Sequence, residues 1–332
     1  MKTIKIGLLG LGNIGTGTYK TLEMNRSEIE STLNAKVEIV KILERDTERD
    51  RGITVPKEKF TSDPDEIFQD PEIDIVIELL GGIEPATTFM LSALKNGKHV
   101  VTANKAALAA NYHELINAAK ENNVILRFEA SVGGGIPIIR PISQCLAAND
   151  VIEIAGIPIL GTLTGPLRAN KFEEVMGILN GTTNYILTMM TKEGLDYETA
   201  LKDAQEQGFA EADPTADVEG IDAANKLTIL MALMFDKYVA PKDIPTTGIT
   251  EITKEKIEEA RSNGCKIKLI AHAWRDENDE IKYEVRPMYI SATHPLANIN
   301  KEFNAVFVKG NAVDDVMFYG KGAGPLPTGS AV

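Results

Sequence analysis

Cysteine, histidine and long hydrophobic runs are all scarce in this sequence of 332 residues. Its two cysteines, Cys145 and Cys265, are 120 positions apart, and its four histidines form no ligand-spaced pair. A disulfide framework and a structural zinc site are therefore excluded. The longest nearly apolar run, 227–235, has nine residues, whereas a membrane-spanning helix needs roughly 18. Because Lys5 interrupts the N-terminal apolar residues, a secretory signal is not expected either, and we predict a cytoplasmic protein.

Basic residues are also fewer than acidic residues. Lysine and arginine number 35 against 48 for aspartate and glutamate, which gives a net charge of −13. This balance repels the phosphates of nucleic acid and anionic membrane surfaces, so we expect a small-molecule ligand and neither of those partners. Apolar residues at 43% and charged residues at 25% are typical of globular proteins. The length predicts two domains.

Short β-rich apolar runs alternate with helical patterns over the first 130 residues. Strands are predicted at 4–9, 37–43, 75–79, 99–102 and 124–128, and helices from residue 14, over 85–96 and over 112–122. This alternation predicts βαβ units and a mostly parallel sheet.

The pattern changes after the three consecutive glycines at 133–135. Helices are predicted at 184–191, 197–207 and 218–235, followed by strands at 266–274, 281–288, 304–308 and 316–319. These strands lie too close together for long crossover helices. The second domain is therefore predicted to be α+β, with an antiparallel or mixed sheet.

A glycine motif, Gly10-Leu11-Gly12-Asn13-Ile14-Gly15, directly follows the first predicted strand and opens a helical pattern. Dinucleotide binding requires this context, because glycines let backbone amides approach the pyrophosphate at a helix N-terminus. A glycine-rich turn without a ligand is the alternative. The class predicted is α/β, with a Rossmann dinucleotide-binding domain over 1–132 and the second domain over 133–332.

The charged residues that directly follow the second predicted strand bear on the choice between NAD and NADP. An acidic residue, Glu44 or Asp46, would hold the ribose 2′-hydroxyl of NAD, whereas Arg45 would favour the 2′-phosphate of NADP. Both residue types are present, so the choice stays open, and we favour NADP.

Polar residues also follow later strands of the parallel sheet, where ligands bind in open α/β folds. Lys105 follows the fourth strand and is placed to reach a bound substrate, with a solvated surface lysine as the alternative. The stretch 129–135, Glu-Ala-Ser-Val-Gly-Gly-Gly, combines a carboxylate with a carbonyl-rich loop. Such a loop suits a hard cation, and an interdomain hinge is the alternative.

The densest polar cluster spans 208–226. Asp222 and Lys226 are four positions apart on a predicted helix, so their side chains share one face. A surface ion pair is one interpretation. In the other, Asp222 keeps an ammonium charged and oriented so that it can donate a proton to a nascent alkoxide, while Glu211 receives a cationic substrate group. A second glycine-rich loop at 320–325 is a turn or a clamp over the cofactor.

One internal repeat is present. Gly-Ile-Pro-Ile-Ile at 135–139 recurs as Gly-Ile-Pro-Ile-Leu at 156–160, which indicates a tandem duplication; chance similarity is the alternative. We expect the second copy, near 150–170, to be a tolerated insertion away from the catalytic pocket.

Taken together and in order, these segments resemble the homoserine dehydrogenases over nearly the whole chain. The resemblance is carried by the stretches 10–15, 78–82, 102–105, 129–137, 177–185, 208–226 and 320–324. Its most specific parts are Asn-Gly-Thr-Thr-Asn at 180–184 and Glu-Ala-Asp-Pro-Thr at 211–215. The resemblance implies a homodimer whose second domain binds substrate and forms the dimer. It also implies NAD(P)-dependent interconversion of L-aspartate 4-semialdehyde and L-homoserine in threonine, methionine and isoleucine biosynthesis.

The resemblance also implies residue roles. The expected catalytic residues are Lys226, Lys105 and Asp222. The expected cofactor-binding residues, including Arg45 from the argument above, are Gly10, Gly12, Asn13, Ile14, Gly15, Arg45, Thr102, Lys105, Gly208 and Gly324. Substrate is expected at Glu211, Asp217 and Asp222. A sodium ion is expected at Glu129 and the carbonyls of Val132, Gly134 and Ile136.

The chain departs from the family at two places. About 21 residues near 150–170 are extra, and the chain ends where the family continues into a further helix and often a regulatory ACT domain, so we expect both to be absent. Two other functions remain as alternatives: a catalytically impaired NADP-binding member of the family, and another Rossmann amino-acid oxidoreductase.

Overall fold

The structure, a computed structural model, describes residues 2–136, 171–311 and 314–332. The chain forms two compact units, Met1–Gly135 with Ala323–Val332, and Ile136–Gly322. The division at 135 lies close to the predicted one at 132, but the C-terminal residues join the first unit, which the sequence did not indicate. The duplicated segment near 150–170 lies outside the described residues, so our expectation for it stays a prediction.

The first unit contains a six-stranded sheet in the order β3-β2-β1-β4-β5-β6, with every neighbouring pair parallel. Its strands are β1 (Lys2–Leu9), β2 (Ala35–Leu43), β3 (Phe60–Thr61), β4 (Ile75–Glu78), β5 (His99–Thr102) and β6 (Leu126–Arg127). Side chains such as Leu8, Ile42 and Val76 are fully buried, as expected where helices cover a parallel sheet. The predicted α/β class with a Rossmann domain is confirmed.

Six helices of the first unit precede the second unit in the chain. They are α1 (Asn13–Met24), α2 (Arg26–Leu33), α3 (Asp65–Phe68), α4 (Ala86–Lys95), α5 (Lys105–Ala110) and α6 (Tyr112–Glu121). The helices predicted from residue 14, over 85–96 and over 112–122 are confirmed as α1, α4 and α6. Among the described residues, no helix has the length and apolar character needed to cross a membrane.

The second unit contains a five-stranded antiparallel sheet in the order β11-β10-β7-β8-β9. Its strands are β7 (Phe172–Ile178), β8 (Cys265–Arg275), β9 (Ile281–Ser291), β10 (Phe303–Gly310) and β11 (Asp314–Lys321). Its helices are α7 (Gly181–Glu193), α8 (Tyr197–Glu206), α9 (Thr215–Val218), α10 (Ile221–Met234) and α11 (Lys254–Ser262). The predicted α+β class is confirmed, although the central strand β7 was not among the predicted strands.

Two local predictions hold over shorter ranges. The helix expected over 218–235 is α10 (Ile221–Met234), which begins after Gly220, whose φ of +82° separates it from α9. The glycine-rich loop expected at 320–325 is confined to residues 322–324, because Gly320 pairs with Asn304 in β11 and a helix starts at Pro325.

That last helix, α12 (Pro325–Ala331), packs against α1 in the first unit. A Cβ atom on Gly329 would lie 2.7 Å from the backbone carbon of Gly17, so the two helices approach closely. We expected no terminal helix here. Pro327 and Gly329 have low helix propensity, and the contact with α1 compensates for it.

Candidate active site

The glycine motif forms the turn between β1 and α1. A Cβ atom on Gly15 would lie 2.2 Å from the carbonyl oxygen of Gly10, so a side chain there would displace the helix from the turn. A Cβ atom on Gly12 would meet nothing within 4 Å, because that glycine faces open space. Gly12 is also the residue before the first turn of α1. The backbone amides of this helix end are therefore open to an anion such as a pyrophosphate.

A cavity of about 390 Å³ lies beside this turn. Its lining includes Gly12 and Asn13 from the motif and the basic residues Lys20, Arg49 and Arg51. Arg45 is exposed and is not part of the lining. The three basic residues outnumber the one acidic residue of the lining, Asp50, and this balance suits an anionic cofactor. Lys20, Arg49 and Arg51 were not predicted as site residues, although the cluster of arginines shortly after the second predicted strand was a usable signal.

Glu44 binds the glycine motif itself. Its Oε2 atom accepts a hydrogen bond from the backbone amide of Leu11 at 2.9 Å and lies 3.3 Å from Arg51. Its Oε1 atom accepts from the amides of Arg45 and Asp46 at 2.8 and 3.2 Å. Burial alone would raise the pKa of Glu44, but these hydrogen bonds and the Arg51 charge outweigh it and lower the pKa below its usual value. The carboxylate thus accepts three backbone hydrogen bonds and also pairs with one guanidinium group.

Glu78 and Thr102 lie at the adjacent ends of β4 and β5, and both are fully buried. The Thr102 hydroxyl donates to Glu78 at 2.7 Å, so this side chain links the ends of the two strands. Asn104 donates to Gly82 and caps α5 by accepting from Ala107. This network fixes the start of α5, whose first residue is the half-buried Lys105.

The stretch that was predicted to bind a cation ends the first unit. Glu129 begins a short 3₁₀ turn and is half-buried, whereas Val132 and Gly134 are buried. Gly133 and Gly134 both adopt left-handed backbone angles, with φ of +75° and +54°. Among the described residues, no cluster of three or more histidine, cysteine, aspartate or glutamate side chains could hold a metal. A hard cation here would therefore depend on one carboxylate and backbone carbonyls.

Asp222 and Lys226 form a buried ion pair on α10. Lys226 Nζ lies 2.6 Å from Asp222 Oδ2, and the two side chains are 8% and 5% exposed, respectively. The ammonium also donates to the carbonyl oxygen of Leu179 at 2.6 Å. The predicted pairing across one helical turn is confirmed, and the interpretation as a surface ion pair is wrong. A buried lysine beside one carboxylate can hold or release a proton at a defined position.

Asn180, which the sequence analysis did not single out, joins this pair to Asp217. Its side-chain amide donates to Asp217 at 2.7 Å and to Asp222 at 2.9 Å. Asp217, in α9, is half-buried, whereas Glu211, in the segment that precedes α9, is exposed. The structure thus brings together Asp217, Asp222 and Lys226 within the second unit. Asn180 lies in the motif that carries the most specific resemblance, which was the available signal.

The remaining predicted cofactor residues lie on different units. Gly208 is exposed between α8 and α9, in the second unit, with a φ of +76°. Gly324 precedes α12, in the first unit, with a φ of +119°. The glycine motif and Lys105 belong to the first unit, and the buried acid–base pair belongs to the second.

Two family models match this chain, one over most of the first unit and one over most of the second. A family model described as the NAD binding domain of homoserine dehydrogenase matches residues 10–129, and one described as homoserine dehydrogenase matches residues 158–332. The homoserine dehydrogenase of Bacillus subtilis is 43% identical over 332 residues, covering 100% of this chain and 72% of that protein.

Solved structures agree with these matches. A homoserine dehydrogenase from Thiobacillus denitrificans has a TM-score of 0.89 and 41% identity, covering 100% of this chain and 72% of that one. A hyperthermophilic archaeal homoserine dehydrogenase solved in complex with NADPH shares the fold, with a TM-score of 0.77 and 24% identity over 99% of this chain and 95% of that one. This chain, with its dinucleotide-binding unit and its buried Asp222–Lys226 ion pair, belongs to the homoserine dehydrogenase family of oxidoreductases.

Proposed function

We propose that Lys226 is the proton donor for the reduction of L-aspartate 4-semialdehyde to L-homoserine and that NADP is the preferred cofactor. The observation that carries this proposal is the buried Asp222–Lys226 pair, with 2.6 Å between Oδ2 and Nζ. When bound, the nicotinamide supplies a hydride to the aldehyde carbon or removes one from homoserine.

Lys226 acts on the oxygen of the substrate. In the direction of reduction its ammonium gives a proton to the carbonyl oxygen as negative charge develops there, and in oxidation the neutral amine takes the hydroxyl proton. Asp222 keeps the ammonium oriented and favours its charged form. Because both side chains are nine-tenths or more buried, little water competes for this interaction. Lys105, held at the start of α5, is proposed as the second catalytic lysine.

The first unit binds the cofactor in this proposal. Gly10, Gly12, Asn13, Ile14 and Gly15 place backbone amides at the N-terminus of α1, where they can hold the pyrophosphate. Thr102, Gly208 and Gly324 are proposed as further cofactor contacts, and the Thr102 hydroxyl also donates to Glu78.

The preference for NADP follows from Glu44 and its neighbours. Three backbone amides and Arg51 already contact its carboxylate, so a ribose 2′-hydroxyl would have to compete with them. The exposed guanidinium of Arg49 borders the cavity, and Arg45 lies on the same connection. Guanidinium groups suit a 2′-phosphate.

The substrate ammonium group is proposed to bind the carboxylates of Glu211 and Asp217. A sodium ion is proposed at Glu129 with the carbonyls of Val132, Gly134 and Ile136. This donor set of a carboxylate and neutral oxygens fits a hard monovalent cation better than a transition metal.

A homodimer, a cytoplasmic location and a place in threonine, methionine and isoleucine biosynthesis are also proposed, from the family resemblance. The second-unit sheet supports a dimer, since Met317 and Tyr319 on its edge strand β11 are 40% and 53% exposed and lie on one face. Large exposed apolar side chains on a sheet face are typical of association surfaces.

Initial rates of homoserine oxidation test this function. They should be measured with NAD and with NADP, each with sodium and with potassium at equal ionic strength. We expect turnover with a higher kcat/KM for NADP. Cofactor binding without turnover would select an impaired enzyme, and turnover of another amino-acid alcohol but not homoserine would select a different oxidoreductase.

A further inference from the structure

Asn180 occupies the turn between β7 and α7, and only 5% of it is exposed. Its Oδ1 atom accepts from the backbone amide of Thr183 at 2.9 Å and from the Thr183 hydroxyl at 3.1 Å. These two donors determine the orientation of the side-chain amide, because only its oxygen can accept them. The NH₂ group therefore points in the other direction, toward the carboxylates.

The Nδ2 atom of Asn180 faces two carboxylates at once. It lies 2.7 Å from Asp217 Oδ1 and 2.9 Å from Asp222 Oδ2. The same oxygen of Asp222 accepts from Lys226 Nζ at 2.6 Å. An amide NH₂ group has two protons, so each carboxylate can receive one. One neutral side chain thus joins the acid–base pair to Asp217.

The neighbours of Asn180 hold it in place. The preceding carbonyl, of Leu179, accepts from Lys226, so consecutive residues contact both members of the pair. A Cβ atom on the following residue, Gly181, would lie 2.8 Å from the carbonyl oxygen of Glu302. The start of α7 is therefore packed tightly against backbone, which leaves the Asn180 side chain little freedom to move.

We infer that Asn180 is a positioning residue that holds Asp217 and Asp222 in register and sets the proton affinity of Lys226. This inference rests on the proposed function, since it assumes that Lys226 exchanges the proton with substrate. Without the amide, the two carboxylates would lose the donor that they share, and the negative charge of Asp222 would be less dispersed. Both changes favour the ammonium form of Lys226.

The test compares Asn180→Asp and Asn180→Ser with a control, Thr188→Val. Aspartate and serine are both favoured at the N-cap position of a helix, so each can still cap α7. Neither can donate to both carboxylates as the amide does. Thr188 lies on the same helix, and its buried hydroxyl donates to the carbonyl of Asn184 and to neither carboxylate. For each variant, kcat and KM are measured against pH in both directions, together with the Kd for NADP.

Oxidation needs the neutral amine, so its rate rises with pH, and reduction needs the ammonium, so its rate falls with pH. In Asn180→Asp we expect the midpoints of both profiles to move up by about one pH unit, with a smaller upward shift in Asn180→Ser. The homoserine KM rises about tenfold, as for loss of a hydrogen bond to a charged group, while the Kd for NADP stays constant. Thr188→Val lowers thermal stability but leaves both midpoints in place.

Unshifted midpoints in the folded Asn180 variants, alongside an inactive Lys226→Ala enzyme, would overturn the positioning role and leave the proposed function intact. A fully active Lys226→Ala enzyme would overturn the proposed function and this inference together. If Asn180→Asp does not fold, the pH profile of Asn180→Ser tests the positioning role in its place: an upward shift of the midpoints supports the role, and unshifted midpoints overturn it.

Discussion

The Nζ atom of Lys268 lies 2.8 Å from the Oδ1 atom of Asn184 in the interior of the second unit. Lys268 is only 2% exposed and also donates to the carbonyl oxygen of Ile299. Burial, together with the positive charges of Lys266 and Lys192, lowers the pKa of Lys268 from 10.5 to about 7.

This buried lysine makes stability depend on pH. Its pKa is lower in the folded than in the unfolded chain, so the unfolded chain binds more protons between about pH 7 and pH 10.5. Stability therefore rises with pH across that window, by up to about 1.4 kcal/mol per pH unit. We expect urea unfolding of Lys268→Met to lack this contribution, so that the advantage of the wild type over the variant grows with pH. An exposed control, Lys309→Met, should keep the pH dependence of the wild type, and a constant difference for Lys268→Met would contradict the prediction.

Removal of the proposed proton donor should affect rate and not cofactor binding. We expect Lys226→Ala to lower kcat by about 10² to 10⁴, the usual contribution of general acid catalysis, with an unchanged Kd for NADP. The matched control is Lys202→Ala, because Lys202 is largely exposed and lies 3.9 Å from Glu206. Stopped-flow rates and cofactor titration by fluorescence measure the two quantities. A Lys226→Ala enzyme with wild-type kcat would remove Lys226 from the mechanism.

Cofactor preference should respond to the arginines after β2. We expect Arg49→Ala to raise the KM for NADP about tenfold and leave that for NAD nearly unchanged, because only NADP carries the additional phosphate. Arg45→Ala should act in the same direction, less strongly, since Arg45 does not line the cavity. Lys57→Ala, an exposed control, should change neither KM. If the KM values for NADP and NAD rise equally in an arginine variant, that arginine stabilises the loop and does not bind the 2′-phosphate.

Substitution of Gly12, in the nucleotide-binding turn, and of Gly17, in α1, should separate cofactor binding from stability. We expect Gly12→Ala to weaken NADP binding without lowering the free energy of unfolding, because a Cβ atom there meets no protein atom within 4 Å. Gly17→Ala places a Cβ atom 2.1 Å from the carbonyl oxygen of Pro325 and should lower the free energy of unfolding by about 1–3 kcal/mol. Calorimetry and cofactor titration of both variants check this. Equal stability of the two variants would show that α12 can move away from α1 without cost.

The proposed sodium site can be tested through its carboxylate. We expect the wild type to be more active in sodium than in potassium at equal ionic strength. In Glu129→Gln the sodium concentration for half-maximal rate should rise about tenfold, since a charged ligand becomes neutral. Glu121→Gln, an exposed site on α6, is the control. If the wild type does not distinguish the two cations, the site does not serve the reaction.

The fold class was accessible from the sequence because it depends on local periodicity. Alternating apolar runs and helical patterns placed β1, β2, β4 and β5 within two residues of their observed limits. The glycine motif lay between a strand and a helix as predicted, and the spacing of Asp222 and Lys226 put both on one helical face. The helix α12 was not foreseen, since its proline and glycine content has low helix propensity and its stability comes from contact with α1.

The sequence by itself determined which residue types were available at the site and which element carries each of them. Only the tertiary structure decided their partners. Glu44 reaches the amide of Leu11 across 33 positions, and Asn180 reaches Asp222 across 42. Periodicity reports neighbours within one strand or helix, whereas burial and hydrogen bonding between distant segments depend on how those elements pack. For that reason the pairing of Lys226 with Asp222 could be predicted, but its burial and its link through Asn180 to Asp217 could not.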